Sequence, residues 1–334
     1  MAGKKTGKIQ KILETWASIS QFAVIKRLYD RHWSIALTLL FIISLAVPPV
    51  ISATAQIPTI QAQQNIPQLV QQAKTLYEQR QFDRAANIWQ QVAVAFATKN
   101  DSLNQAMALS NLSLTYQQLG KWEQAKVAID QSINLLQKLE NTSDRKRIVA
   151  QSLDIQGRLQ RARGDSETAI ETWQKAATIY TEIGNKDAVI QNQINQSQAL
   201  QDLGLYPRAC QTLLKAFELD IPDCKTLNEL PPETATKKLE IISNRPDSLL
   251  KFDAMYGLGD ILRSIGDLQL SQNILESSLT VARNLRSPLE QSTAMLALGN
   301  TARAFVERQI LLPPQDQDTT ILILKTQAAL NFYH

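Results

Sequence analysis

Histidine and cysteine are almost missing from this chain: His32, His334, Cys210 and Cys224 are all that 334 residues contain. A Ser-His-Asp or Cys-His arrangement needs an imidazole fixed beside the nucleophile, and neither histidine lies within the body of the sequence. Zinc needs three or four protein ligands, which two cysteines alone do not supply. A phosphate loop is lacking as well. The segment GKKTGK at Gly3–Lys8 has suitable residue types, but no strand precedes it and the GxxxxGK[ST] spacing is absent. Carboxylates such as Asp154, Asp253 and Asp260 have no companion groups that mark acid–base chemistry, so they read as solvated helix faces. The expectation is a non-enzyme without metal or cofactor.

A basic excess is also missing from most of the chain. Of 35 basic and 31 acidic residues, seven and two precede residue 33, which leaves 28 and 29 for the rest. The body is neutral, whereas nucleic-acid binding calls for a concentrated basic footprint. The +4 net charge belongs to the leader, and nucleic acid is not an expected partner.

No charge stands between Arg31 and Lys74. Within that span WSIALTLLFIISLAVPPVI, Trp33–Ile51, has the apolarity of a membrane segment. Pro48 and Pro49 break it to about fifteen apolar residues, the length of a signal-peptide core and short for a spanning helix. Ala53-Thr54-Ala55 then offers a small-residue cleavage site before Gln56. The long basic region at 1–32 also suits an uncleaved anchor whose N-terminus stays inside. Both outcomes remain open, and both put the body in the cell envelope, exported or anchored at the inner membrane through residues 33–51. Residues 33–55 are therefore signal peptide or transmembrane helix, and 56–66, rich in Gln, Ala, Pro and Thr, a linker.

What the sequence does have, from residue 67 to 334, is internal repetition, which decides the fold class before local structure does. Five units open their second helix with QRQFDRAANIW, LGKWEQAKVAI, RGDSETAIETW, LGLYPRACQTL and IGDLQLSQNIL. One register position holds Ala85, Ala125, Ala169, Ala209 and Ser271; twelve residues upstream stand Ala73, Ser113, Gly157, Ser197 and Gly259. Every one is small, as two antiparallel helices on a short turn require where they cross. Bulky side chains flank the second position, Trp122 and Ile129 in the second unit, and are expected to fill the groove against the neighbouring unit. Gly120, Gly164, Gly204 and Gly266 end the first helices, where a left-handed residue is least costly as glycine. Arg80 replaces glycine in the first unit, so that turn is expected to be less sharply defined.

This pattern resembles the tetratricopeptide repeat (TPR) family, on Gly120, Trp122, Ala125 and Ile129 and their counterparts. The resemblance implies an all-α superhelix, a solenoid of about five and a half repeats. The spacings of 40, 44 and 40 residues exceed the usual length of about 34. The step from Ala209 to Ser271 is 62, which predicts an insertion near 221–246 with a helix from Pro232 to about Asn244. A sixth unit begins with AMLALGNTARAF, with Gly299 at the small position and Ala329 and Tyr333 at the alanine and bulky positions. A repeat array ordinarily closes with a polar cap. Ending at His334 therefore predicts a C-terminal continuation or a partner at the open end.

In the resembled family the inward positions of the first helices bind extended peptides or partner helices. Carried onto this chain these are Asp154, Arg158 and Arg161, then Gln198 and Gln201, then Tyr256, Asp260 and Arg263. Their mixed charge and glutamine suit hydrogen bonding to a polypeptide rather than clamping of an acidic tail, and a plain solvent face stands as the rival. Cys210 and Cys224, 14 residues apart, are read either as a disulfide in an exported body or as two buried thiols. The phrases LSNLSLTYQQLG, LDIQGRLQRARGD and ALGNTARA look like the N-terminal repeat region of bacterial CHAT-domain proteins. That resemblance implies the regulatory part of a caspase-like peptidase whose His/Cys domain is not in this sequence. The reading reached is a protein-binding scaffold.

Overall fold

The computed structural model describes residues 65–333, and the regular elements among them are helical. The leader, its cleavage site, His334 and all but the last two positions of the linker lie outside the described residues. Among the described residues no helix is long and apolar enough to cross a membrane. The solenoid starts one residue earlier than expected, with Pro67 inside the first turn of its first helix.

Among the described residues six helical hairpins follow one another. They are α1 (Ile66–Glu78) with α2 (Phe82–Thr98), α3 (Ser102–Gln118) with α4 (Trp122–Gln137), and α5 (Ser143–Ala162) with α6 (Ser166–Glu182). Then come α7 (Lys186–Asp202) with α8 (Tyr206–Ala216), α11 (Leu249–Ile265) with α12 (Leu268–Asn284), and α13 (Pro288–Ile310) with α14 (Thr319–Tyr333). The insertion holds two helices, α9 (Cys224–Glu229) and α10 (Pro232–Ser243), where the sequence predicted one. α9 is six residues long, too short for periodicity to reveal it; an Asp223 side chain accepting from the Thr226 N–H at 2.7 Å starts it. α8, at 11 residues, is the shortest second helix, and the insertion leaves from its end.

Turns of three residues in the first four hairpins and two in the fifth give them their sharpness. Gly120, Gly164, Gly204 and Gly266 all have positive φ, and the next N–H reaches back to close each helix end, as from Lys121 to the Tyr116 carbonyl at 2.9 Å. The residue after the turn then caps the next helix: Asp165 and Asp267 accept from Thr168 and Leu270. The first turn corrects the expectation drawn from Arg80. Arg80 adopts φ +59° and Gln81 donates to Leu76 at 2.8 Å, the same closure as in the other units. The packing of α1 on α2 imposes the turn, and the side chain tolerates a conformation that glycine adopts freely.

The small register positions are buried throughout, from Ala73 and Ala85 to Gly259 and Ser271. Their opposition is direct: Ser197 donates to the Ala209 carbonyl at 2.9 Å and Ser271 to the Gly259 carbonyl at 2.7 Å. The bulky position four residues on packs inside its own unit and also fills the groove against the next, as expected: Ile129 of α4 shares a buried cluster with Ile155 and Leu159 of α5. A Cβ on Gly259 would sit 2.6 Å from Leu275, and one on Gly299 2.8 Å from Tyr333. Trp122, expected to be buried, is 39% exposed at the start of α4, whereas Leu268 at the same position of the fifth unit is buried.

Units are joined by apolar seams and, on the edges, by ion pairs such as Lys121–Asp83 (3.0 Å) and Arg163–Glu123 (2.9 Å). Being exposed, each contributes little. At the second junction three buried hydroxyls meet: Ser110 of α3 lies 2.8 Å from Ser132 of α4 and 2.7 Å from Ser152 of α5. The largest apolar core lies around α7, α8, α11 and α12, and the insertion contributes Leu227, Leu239 and Ile242 to it. Cys210 of α8 and Cys224 of α9 are joined as a disulfide with a Cα–Cα distance of 5.9 Å, fastening the insertion to that core.

Candidate functional site

Stacked first helices present their side chains on one surface, and the middle units crowd it with polar groups. Asp154 on α5 is the centre. Its Oδ1 accepts from Asn192 (3.2 Å) and Asn195 (3.1 Å) of α7, and its Oδ2 lies 3.5 Å from the Arg158 Nε. Both asparagines are buried. Gln191, a turn earlier on α7, donates to Asn195 and to Asp253 of α11, each at 3.3 Å. Carboxylates, amides and a guanidinium from three first helices thus form one hydrogen-bonded array.

Electrostatics carries the same surface further. Burial raises the Asp253 carboxyl above its ordinary pKa, while Gln191 and the Arg158 guanidinium oppose the shift. Burial also raises Tyr180, with the Asp154 charge adding to it and Arg158 opposing. Burial raises the Tyr77 hydroxyl of α1, with the Arg158 charge opposing the shift. Tyr256 is raised chiefly by burial; the Asp260 charge adds to the shift, and Arg263 and Arg161 oppose it.

The eight residues expected to line the groove divide into three groups. Asp154, Arg158, Arg161 and Gln198 come together: Arg161 binds Asp202 through Nε (2.6 Å) and Nη2 (3.1 Å), and Gln198 through Nη1 (2.8 Å). A concavity of about 330 Å³ opens beside them, with Trp173 and Asn195 in its wall. Tyr256, Asp260 and Arg263 form a second group on α11, where Asp260 and Arg263 pair at 2.6 Å and Tyr256 stacks on Phe252 with centroids 5.9 Å apart. Gln201 stands apart, half-buried and without a side-chain hydrogen bond among the described residues. Asp253 and Asp154, read from sequence as solvated, are partners in the array instead.

Sequence reasoning missed Gln191, Asn192, Asn195 and Asp202. The signal was the run IQNQINQSQ in α7, whose Asn192 and Asn195 recur on the side that meets Asp154 of α5. A further opening of about 500 Å³ lies between α7 and the exit of the insertion, bridged by Arg245 and Asp187 at 2.7 Å. Among the described residues no group of His, Cys, Asp and Glu is arranged to hold a metal ion.

This array of repeated hairpins can now be set beside known proteins. Residues 105–144, nearly the whole of unit two and the first residues of α5, match the family model for the tetratricopeptide repeat. The fold is a TPR-like solenoid. A STAND-type signal transduction ATPase with a tetratricopeptide repeat sensor, from Pyrococcus horikoshii, is similar at a TM-score of 0.57 and 11% identity, over 81% of this chain and 42% of that one. A Rap protein complexed with Competence and Sporulation Factor gives a TM-score of 0.52 at 13% identity, over 78% and 70%. Aspartyl phosphate phosphatase F from Bacillus subtilis gives 0.50 at 12%, over 78% and 68%. At such identities the likeness is one of TPR-like architecture. No curated protein matches the sequence.

Proposed function

We propose that the chain is a non-enzymatic binding module that takes a polypeptide segment along its first helices, at the array centred on Asp154. One observation carries this reading: amides and charges from α5, α7 and α11 converge on one concave surface, and its charges are already paired internally. Such a surface offers a strand hydrogen bonds without demanding a charge of either sign, which suits a neutral polar segment better than an acidic tail. The Rap protein of like fold holds a bound factor, which supports binding as the use of this architecture. The repeats work outside the cytoplasm, exported or held by residues 33–51. The Cys210–Cys224 bridge supports this location, since disulfides persist in oxidising compartments. In the finer reading, the module senses for a CHAT-type peptidase domain, as the repeat phrases suggest.

The test is a photo-crosslinking amino acid at Gln198 in the full chain in cells, with the exposed Lys175 of α6 as the outer control. A discrete polypeptide adduct from position 198 alone is the expected result. Identical adducts from both positions, or none from 198, overturn the reading.

A further inference from the structure

The last hairpin is built longer than the five before it. Other first helices stop five or six residues past their small position, whereas α13 runs eleven past Gly299, to Ile310. Other second helices begin three residues before their Ala or Ser position, whereas α14 begins ten before Ala329, at Thr319. The additional five to seven residues carry this hairpin about 8–10 Å beyond the turns of its neighbours.

The projecting part exposes large apolar side chains. Leu311, Ile323 and Leu324 are 86%, 66% and 63% exposed, and Leu312 is exposed beside them. The fifteen residues of α14 hold one charge, Lys325, and it is turned inward over the Phe305 ring, 4.1 Å from the centroid, and onto Gln272. The described helix with no charge at all is α3, and it is enclosed by α2, α4 and α5. α14 has nearly the composition of an enclosed helix, with one side open.

We propose that this hairpin joins two copies of the chain, the Ile323–Leu324 stripe of one packing on that of the other about a two-fold axis. A two-fold contact sets a patch against its own image, so any charge on it meets a like charge; the outward stripe Ile323, Leu324, Gln327, Ala328 and Asn331 has none. A bilayer fits less well. Asp316 and Asp318 stand in the loop at the tip, and no basic residue lies between Arg308 and Lys325 to meet lipid headgroups. The patch, on the order of 400–500 Å², is of the size of the largest apolar patch on a typical monomer, which is often functional. It falls short of the roughly 800 Å² per partner of a tight interface, so dissociation in about the micromolar range is expected.

The experiment uses the full chain in mild detergent, where the paired native cysteines leave an introduced thiol as the reporter. Leu324→Cys is expected to oxidise to a covalent dimer and Lys175→Cys, on the outer face of α6, to remain monomeric. By sedimentation the parent chain should pass from monomer to dimer with concentration. Leu324→Lys should hold it monomeric with an unchanged helical spectrum, and an equal mixture of Leu324→Lys and Leu324→Glu chains should dimerise again. A parent chain that stays monomeric, a dimer that survives Leu324→Lys, or Leu324→Cys captured by another protein instead of itself overturns the proposal.

Discussion

Gly157 and Trp173 compete for one volume: a Cβ on the glycine of α5 would sit 2.7 Å from the indole of α6. The indole is fixed in place, because its Nε1–H donates to the Asp154 carbonyl at 3.2 Å and it is buried. The residue that lines the concave array and the residue that packs the unit are therefore tied through one turn of α5. Gly157→Ala should destabilise the fold by about 1–3 kcal/mol, the usual cost of overpacking. Urea unfolding measures it. A change below a few tenths would show that the indole moves aside freely.

Arg80 occupies a left-handed position that four glycines fill elsewhere, and the cost for a residue with a Cβ is about 1 kcal/mol. Arg80→Gly should raise the unfolding midpoint by a part of that amount, while Gly120→Val should lower it, although a Cβ at Gly120 meets no neighbour. The opposite signs of the two substitutions, read in one denaturant series, isolate backbone conformation from packing.

The Cys210–Cys224 bridge closes a short loop around the junction of α8 and α9, for which chain entropy gives about 3 kcal/mol. Thiol labelling of denatured, unreduced protein should find no free thiol, and reduction should lower the melting temperature. Hydrogen exchange after reduction should rise first in α9 and α10. Two labelled thiols in the unreduced protein would remove the bridge from the account.

Asp253 gives a pH dependence of defined sign. Its carboxyl is raised in the fold by burial, so the folded chain holds that proton more tightly than the unfolded one. Ionised Asp253 thus weakens the fold at neutral pH, and the penalty fades as pH falls through the folded value. Asp253→Asn, which keeps an acceptor for Gln191, should be more stable than the parent near pH 7 and converge with it in acid. Chemical denaturation at both pH values checks the crossing.

The leader is tested by intact mass of the chain recovered from cells. Loss of residues 1–55 from exported protein means cleavage, and full mass in the membrane means an anchor. Full mass in the cytosol ends the proposal of export.

The repeat was legible because its signal is steric and periodic: small residues twelve apart with a glycine between them can hardly mean anything but crossing helices. The sixth hairpin was legible the same way through Gly299, Ala329 and Tyr333. What escaped were features set by three-dimensional opposition. Asp154 and Asn195 are 41 residues apart and share a hydrogen bond that no local pattern announces. The groove residues were read from sequence as one surface; their mutual pairing, which decides what charge a ligand can carry, depends on how α5, α7 and α11 rotate against one another. The reach of the last hairpin was hidden as well, because helix length past a register point follows from where the chain finally turns.

Repeating units carry an ambiguity of their own, since any first helix resembles the next and can pair with the wrong second helix while the chain folds. The three buried hydroxyls of Ser110, Ser132 and Ser152 act against that. Ser132 and Ser152 donate to the Ala106 and Ile148 carbonyls at 2.8 Å, and their oxygens are left to accept from the single Ser110 hydroxyl between them. Slide α4 or α5 by one helical turn and hydroxyls would be sealed in an apolar seam with no partner. The ring works as an address label: it tells units two and three which neighbours they are, in an array whose other joints are written in nearly the same alphabet.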